Sequence, residues 1–459
     1  MTVSASTITP IDQQWVSSVG SDSRVFALID CNNFFVSCER LFQPWLNDVP
    51  VAVLSNNDAC VVARSNEVKA LGIKMGEPYF KNEKLLNAHN AKVFSANFPL
   101  YGDIAERVSA TLARYAPNIE VYSIDEAFLQ IDSLNIRDFN AWAKHVAAEV
   151  AKDVGIPVSV GVGPSKTLAK VAVERVKKNP ELLGGYSLAE DRVLRGKKLA
   201  AEQEDALRWL PLEDIWGVGR RYSARLHRLG LRSAYDVSQL SDEWVLNNMT
   251  IRGLRTIREL RGESCIPLDT FEDDNQQKTL SVTRMFGHKV VSLAELEAAV
   301  ASFSARAASR LRRKEQLAWQ GSVFIRAEMP ERRHKFMYKG FQLATPSSFT
   351  SDVIKAAHKA LRDVYDPDLR YRKAGVILNS LVGEDEQQLS LFGEENQAER
   401  MQEEIALMKA MDDISLRYGK KSITYAAEIY ASKRWKSKQN RMSPAYTIRW
   451  NQIPRVKIA

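Results

Sequence analysis

Three acidic residues stand where strand-forming sequence would otherwise bury them. Asp30 closes the apolar run RVFALID, and Asp125 and Glu126 sit side by side inside VYSIDEAFLQID. Strand formers flank both places, and a buried carboxylate is costly unless something positive meets it. Three carboxylates brought together repel one another, and protonation or divalent cations relieve that repulsion. Hard oxygen ligands favour Mg²⁺, with Mn²⁺ as a substitute. Two such ions about 3.5–4 Å apart can activate an attacking oxygen and stabilise a leaving one. A plainer reading makes Asp30 a strand-end cap and Asp125–Glu126 the residues of a wet turn. Spacing alone leaves both readings open.

The surrounding pattern supplies elements that could bring the acids together. Arg24–Phe35 reads as an apolar strand ending in Asp30 and a polar turn, and Val49–Asn57 as a second strand. Ser65–Gly76 reads as a helix closed by glycine, followed by a helical stretch over Tyr101–Ala116. NIEVYSIDEAFLQID reads as a hairpin turning at Ser123–Glu126; Phe139–Gly155 is an amphipathic helix and Ile156–Gly163 another strand. The order β, α, ββ, αβ is ferredoxin-like, with the 49–76 region as an excursion. The first strand and the hairpin are neighbours in such a sheet, which would place Asp30, Asp125 and Glu126 at one edge.

Beyond Gly185 the texture turns helical and basic. Leu210–Leu240 holds two short helices around GVG, where Gly217 and Gly219 would let backbone N–H groups approach a phosphate, although an ordinary glycine turn fits as well. An acidic link at 269–277 leads into a region with strand-like GSVFIRAEM and YRKAGVILNSLV and two helical patterns before and between them. Net charge over the 459 residues is +8, yet 278–382 alone carries 19 Lys/Arg against 9 Asp/Glu. A basic excess concentrated there points to a polyanion, most often nucleic acid. QLSLF, in the polar linker 383–400, is an apolar island of the kind that docks into a partner. Residues 433–459 hold eight basic residues and no acidic one, interleaved with Trp435, Tyr446 and Trp450. Four cysteines without CxxC spacing suit a reduced, cytoplasmic setting. No run approaches the roughly 20 apolar residues of a membrane span, so no membrane role is expected. Residues 1–23 lack the features of an export signal and read as a flexible extension.

LIDCNNFFVSCE, LSNNDACVVARSNEVKALGIKMGEPYF, YSIDEAFLQID and VGVGPSKTLAKVAVERVKK, in this order, resemble the motifs of Y-family DNA polymerases, and more narrowly their UmuC-like branch. The similarity runs from about Arg24 to the C-terminus. It implies an α+β multidomain right hand: a ferredoxin-like palm (24–33 and 97–185), small fingers (34–96), a helix-hairpin-helix thumb (186–268) and an α/β little finger (278–382). Linkers at 269–277 and 383–400 and a partner-binding tail at 401–459 complete this division.

By the same resemblance, Asp30, Asp125 and Glu126 hold two Mg²⁺ ions, with the Cys31 carbonyl as a further ligand. Phe35 is the steric gate against a 2′-hydroxyl, at a position where relatives often carry tyrosine. Lys69 and Lys177 bind the incoming triphosphate, and Arg64 is a further candidate. The little finger would hold DNA through Arg312, Arg313, Lys314, Arg332, Arg333 and Lys335, contacts that weaken as salt rises. Gln388, Leu389, Leu391 and Phe392 resemble the anchors of a sliding-clamp peptide. A processed UmuD-type dimer and the RecA filament are the other implied partners, beside primer-template DNA and dNTPs. The implied activity is error-prone translesion DNA synthesis in an SOS-type damage response, in the cytoplasm and associated with the nucleoid. A nucleotide cyclase shares a ferredoxin-like sheet and paired aspartates but needs neither a DNA-gripping domain nor a clamp peptide. A catalytically silent DNA-binding adaptor of the same fold is the other alternative.

Overall fold

The computed structural model describes residues 24–134, 136–189, 201–269, 278–329, 333–384, 397–419, 422–429, 435–447 and 449–454. It divides into two compact units, Met1–Leu54 with Val61–Phe271 and Arg441–Ala459, and Ser55–Cys60 with Glu272–Asn440.

In the first unit the apolar run Phe26–Cys31 forms strand β1, buried along its whole length. Helix α1 (Phe34–Phe42) follows after Asn33, whose left-handed backbone turns the chain sharply away from the strand. A three-stranded excursion comes next: β2 (Val51–Leu54), β3 (Val61–Arg64), the short α2 (Asn66–Ala70), α3 (Tyr79–Ala88) and β4 (Lys92–Ser95). Its sheet runs β3-β2-β4, with β2 parallel to β4. The helix expected over Ser65–Gly76 is thus shortened. Ser65 caps it, but Gly72 and Gly76 take positive φ, which glycine adopts without penalty, and turn the rest into loop.

The chain then builds α4 (Phe98–Leu112), β5 (Asn118–Val121), β6 (Glu126–Gln130), α5 (Phe139–Val154), β7 (Val158–Gly163), α6 (Lys166–Lys178) and β8 (Gly185–Ser187). Five strands assemble in the order β5-β6-β1-β7-β8. The first four reproduce the ferredoxin-like arrangement, with β1 antiparallel to both β6 and β7, and β8 adds a parallel edge.

Residues 27, 29 and 31 of β1 face α4 and α5, where Ile104, Trp142 and Val146 complete a large apolar core. Residues 26, 28 and 30 face the other way. There Phe26, Leu28 and Phe128 pack on Ala169 and Val173 of α6. Glycines in β7 set that distance: a Cβ on Gly161 would fall 2.5 Å from the Ala169 carbonyl oxygen, and one on Gly163 2.6 Å from the Ala169 nitrogen. Only a strand with no side chain there lets α6 lie so close to the sheet.

Five further helices, α7 (Ala201–Trp209), α8 (Arg220–Arg228), α9 (Ala234–Ser238), α10 (Asp242–Asn248) and α11 (Ile251–Leu260), share a separate core around Leu212, Leu226, Val237 and Ile257. The element before GVG is only a 3₁₀ turn, Leu212–Asp214, rather than the helix expected. Glu259 of α11 fastens this region to the sheet. Its buried carboxylate accepts from the Thr167 N–H (2.9 Å) and hydroxyl (2.8 Å) at the start of α6 and from the N–H groups of Cys265 and Ile266. A carboxylate at a helix N-terminus also meets the positive end of the helix dipole.

The second unit holds β9 (Thr279–Val290), α12 (Leu293–Arg313), β10 (Gln316–Glu328), β11 (His334–Ser347), α13 (Thr350–Val364), β12 (Arg370–Gly383) and α14 (Gln397–Tyr418). Its sheet runs β11-β10-β12-β9, antiparallel throughout. Helices α12 and α13 cover one face, with Phe303, Ile325 and Val376 in the core between the layers. The sequence pattern marks β10 and β12 as strands but not β9 or β11. Both are sheet edges, and in β11 all but one residue is exposed or half-buried, so no apolar alternation marks it. No helix among the described residues is long and apolar enough to cross a membrane.

Candidate active site

Antiparallel pairing sets Asp30 directly opposite Glu126, the last and first useful positions of β1 and β6. Cross-strand partners share a face, so both carboxylates project toward α6. One residue on, the Cys31 N–H donates to the Asp125 carbonyl at 2.8 Å, which fixes the hairpin corner against the end of β1. The Asp125 carboxylate does not join the other two. It accepts from the Ser123 hydroxyl at 2.5 Å, closing the turn on itself. Among the described residues no group of three or more His, Cys, Asp or Glu side chains is gathered tightly enough to hold a metal ion. The expected three-acid convergence is therefore realised in this conformation for two acids, with the third beside them on the backbone.

Two lysines of α6 neutralise the pair. Lys177 Nζ lies 2.8 Å from Asp30 Oδ2, and Lys170 Nζ lies 2.8 Å from Glu126 Oε1. They are seven residues apart, two helical turns, and so share one face. Lys177, which the resemblance assigns to the triphosphate, here contacts the Asp30 carboxylate. Lys170 was not anticipated, and its spacing from Lys177 is the signal that would have found it. Its ammonium also lies over the rings of Tyr122 (4.8 Å) and Trp216 (5.4 Å), and the Trp216 N–H donates to the Tyr122 hydroxyl. Burial pushes the Asp30 carboxyl up to about 7, against the pull of Lys177 and with a further push from Glu126. For Lys177 the balance tips the other way: burial lowers it, but Asp30 outweighs this and holds it above the usual lysine range.

Arg64 and Lys69 belong to the same neighbourhood. Burial, then the like charges of Arg64 and Lys177, hold Lys69 below its ordinary value, so these three cations feel one another around Asp30. Lys69 is exposed at the end of α2, whereas Arg64 spends one N–H on the Ile73 carbonyl (2.5 Å). Phe35, second residue of α1, is half-buried. Its ring stacks on Tyr101 with centroids 4.5 Å apart and planes 14° from parallel, and Phe98 meets it edge-on at 5.9 Å.

Gly217 and Gly219 are both exposed. Gly217 has φ +85°, and Gly219 is the N-cap of α8.

The second unit rearranges the expected DNA contacts. Arg312 is not available to a phosphate: its guanidinium makes a fork to Asp412 of α14 (2.7 and 3.0 Å) and donates to the Ser348 carbonyl and the Thr350 hydroxyl. Arg313 and Lys314 are exposed at the end of α12, Arg333 at the start of β11, and Lys335 lies 4.0 Å from Asp366 on the helix-bearing side. Alternation along β10, β11 and β12 puts a different set on the open face: Arg326, Lys373, Phe324, Phe336 and Tyr338. Arg326 rests over Phe336 (5.8 Å) and Lys373 over Phe324 (5.4 Å). Arg332 and the peptide Gln388, Leu389, Leu391 and Phe392 lie outside the described residues.

This assembly is the fold of a Y-family DNA polymerase. A solved Y-family DNA polymerase chimera superposes with a TM-score of 0.61 at 22% identity, covering 78% of this chain and 99% of its own. Residues 29–174 match the impB/mucB/samB family, 277–391 the C-terminal domain of that family, and 406–456 a domain of unknown function. Protein UmuC of Salmonella typhimurium is 37% identical over 94% of this chain and its whole length, and DNA polymerase IV of Caulobacter vibrioides 27% identical over 80% of this chain and 86% of its own. The chain belongs to the impB/mucB/samB family of Y-family polymerases.

Proposed function

We propose that this chain is an error-prone, DNA-directed DNA polymerase that extends primers past damaged template bases. The observation that carries the assignment is the register pairing of Asp30 with Glu126, with Asp125 bound beside Cys31 and four cations, Arg64, Lys69, Lys170 and Lys177, around the corner.

The donor set fits divalent metal. It consists of oxygens only, and the negative charge of Asp30 and Glu126 is met in this structure by lysines. Asp30, Asp125 and Glu126, with the Cys31 carbonyl, would hold two Mg²⁺ ions, Asp125 by releasing Ser123. Such ions supply activation of the primer 3′-hydroxyl and charge neutralisation on the triphosphate. The chain's own part is positioning. Lys177 and Lys69 take triphosphate oxygens, with Arg64 behind them, so that the primer oxygen lies in line with the α-phosphorus as pyrophosphate departs. Phe35, backed by Tyr101, fills the space a 2′-hydroxyl would need. Gly217 and Gly219 offer backbone N–H groups to phosphate, and the open face of the four-stranded sheet receives the duplex. A small excursion of about sixty residues leaves the nascent pair lightly covered, which trades geometric checking for tolerance of lesions.

The QLSLF sequence supports docking to a sliding clamp, and likeness to UmuC supports a processed UmuD-type dimer and the RecA filament as partners. We place the chain in the cytoplasm, a setting that suits its four free cysteines. Primer extension across a defined template lesion with Mg²⁺ tests the assignment. The wild-type chain should extend and Asp125→Ala should not. Template-independent cyclisation of a nucleotide, or DNA binding without extension, would replace it with the cyclase or the adaptor.

A further inference from the structure

The C-terminal segment, part of the stretch that matches only a domain of unknown function, is built into the first unit. Arg441 and Ser95 exchange hydrogen bonds: the Ser95 N–H donates to the Arg441 carbonyl (3.0 Å), and the Arg441 N–H to the Ser95 hydroxyl (2.9 Å). Met442 bridges Ser95, the last residue of β4, in parallel. Asn97 then grips the segment, its amide donating to the Ser443 hydroxyl (3.0 Å) and to the carbonyls of Ser443 and Pro444. Further on, Tyr446 stacks on Phe42 of α1 at 4.7 Å.

Ser443 is buried, and its hydroxyl donates at 3.0 Å to Glu39 Oε1. The same oxygen accepts from the Tyr101 hydroxyl at 2.7 Å, and Tyr101 is the ring on which Phe35 stacks. Glu39 is fully buried, and its second oxygen has no hydrogen-bond partner. A carboxylate kept in the core by two hydroxyl donors is a costly arrangement for stability alone. What it achieves is a fixed orientation of Tyr101.

We infer that the tail takes part in sugar selection: Ser443, through Glu39 and Tyr101, holds the Phe35 ring in place, an inference that rests on Phe35 being the sugar-facing ring. Ser443, Glu39 and Tyr101 are positioning residues. None touches substrate. Without the tail Glu39 loses one of its two donors, Tyr101 loses its fixed partner, and the ring above it gains freedom to yield to a 2′-hydroxyl.

The test measures kcat/KM for a dNTP and the matching rNTP on one primer-template with the full chain. The ratio of the two is insensitive to the fraction of enzyme that folds. Phe35→Ala should collapse the ratio by about a hundredfold or more, whereas Ser443→Ala and Tyr101→Phe should lower it about threefold to tenfold. Ser443→Ala should leave dNTP insertion within about twofold of wild type, so that the change lies in rNTP use. Tyr446→Ala, which loosens the segment without touching the chain of hydroxyls, should give the same relaxation. Glu39→Gln keeps the accepting oxygen and should retain selectivity, while Glu39→Leu should lose it. Unchanged ratios in Ser443→Ala and Tyr101→Phe, beside a collapsed ratio in Phe35→Ala, would overturn the inference and leave the steric gate standing. An unchanged ratio in Phe35→Ala would overturn both.

Discussion

On the five-stranded sheet, cations meet carboxylates at 2.8 Å in pairs largely shielded from water, and the Lys170 ammonium lies over the rings of Tyr122 and Trp216. On the open face of the four-stranded sheet, Arg326 and Lys373 lie over Phe336 and Phe324 and, among the described residues, pair with no acid. The first arrangement organises charge locally, where low dielectric makes each pairing strong and ionic strength matters little. The second leaves positive charge for a polyanion, and its attraction falls as salt rises. On the proposed reading, one sheet is equipped for chemistry and the other for holding. The variants below separate the two, because chemistry should fail without loss of grip, and grip without loss of chemistry.

The largest effect belongs to Asp30→Asn. Primer extension should fall by about a thousandfold or more, with DNA affinity unchanged within about twofold. A matching loss of DNA binding in a fluorescence titration would show that the two sheets are not separate in role. Lys177→Ala comes next. It should raise KM for dNTP by about tenfold or more while leaving the salt slope of DNA binding intact. On the other sheet, Arg326→Ala with Lys373→Ala should weaken DNA binding by about tenfold and reduce the slope of log K against log salt by about 1 to 2. Single-turnover extension at saturating DNA should be nearly unaffected. An unaltered slope would move the DNA contact off the open face.

How far these roles were legible depended on whether the signal was local. Asp125 and Glu126 stand out because carboxylates interrupt a strand, and the ferredoxin-like order follows from the alternation of elements. The Asp30–Glu126 juxtaposition then follows from the hairpin next to β1. Lys170 carried a weaker signal, the two-turn spacing from Lys177. The edge strands β9 and β11 carried little, since an edge is half solvated and needs no clean alternation. Arg312 misled in the opposite sense: an RRK run at a helix end looks like a phosphate contact, but its partner Asp412 lies 100 residues on. Nothing local could join Ser443 to Glu39, 404 positions apart. Only the folded chain makes that neighbour.

The Glu39 carboxyl gives a pH signature distinct from the sheet pairs. Burial pushes it up to about 7, while its hydrogen bonds from Tyr101 and Ser443 pull it down. The folded chain therefore holds that proton more tightly than the unfolded one. Its contribution to stability is fully present below the ordinary glutamate value of about 4.3 and is lost as pH rises through about 7. Glu39→Gln removes this loss, so its stability relative to wild type should climb by roughly 2–3 kcal/mol between pH 5 and 8 in urea titrations. A difference that does not vary with pH would mean that Glu39 is ionised and solvated.

The smallest expected effect on DNA binding is that of Arg312→Ala, and it sharpens the contrast within the second unit itself. Arg312 makes four hydrogen bonds, two of them charge-assisted to Asp412, and it ties α12 to α14 and to the start of α13. Removing it leaves Asp412 without this partner and two acceptors unfilled, which should cost about 2–3 kcal/mol of unfolding free energy. The salt slope should stay put, because a guanidinium already held by a carboxylate releases no counterions from DNA. The exposed neighbour Arg313 makes the control: Arg313→Ala should leave stability within about 0.5 kcal/mol. If Arg312→Ala lowered the salt slope while stability held, the arginine would be leaving Asp412 for phosphate, and the division between structural and DNA-facing cations on this unit would have to be redrawn.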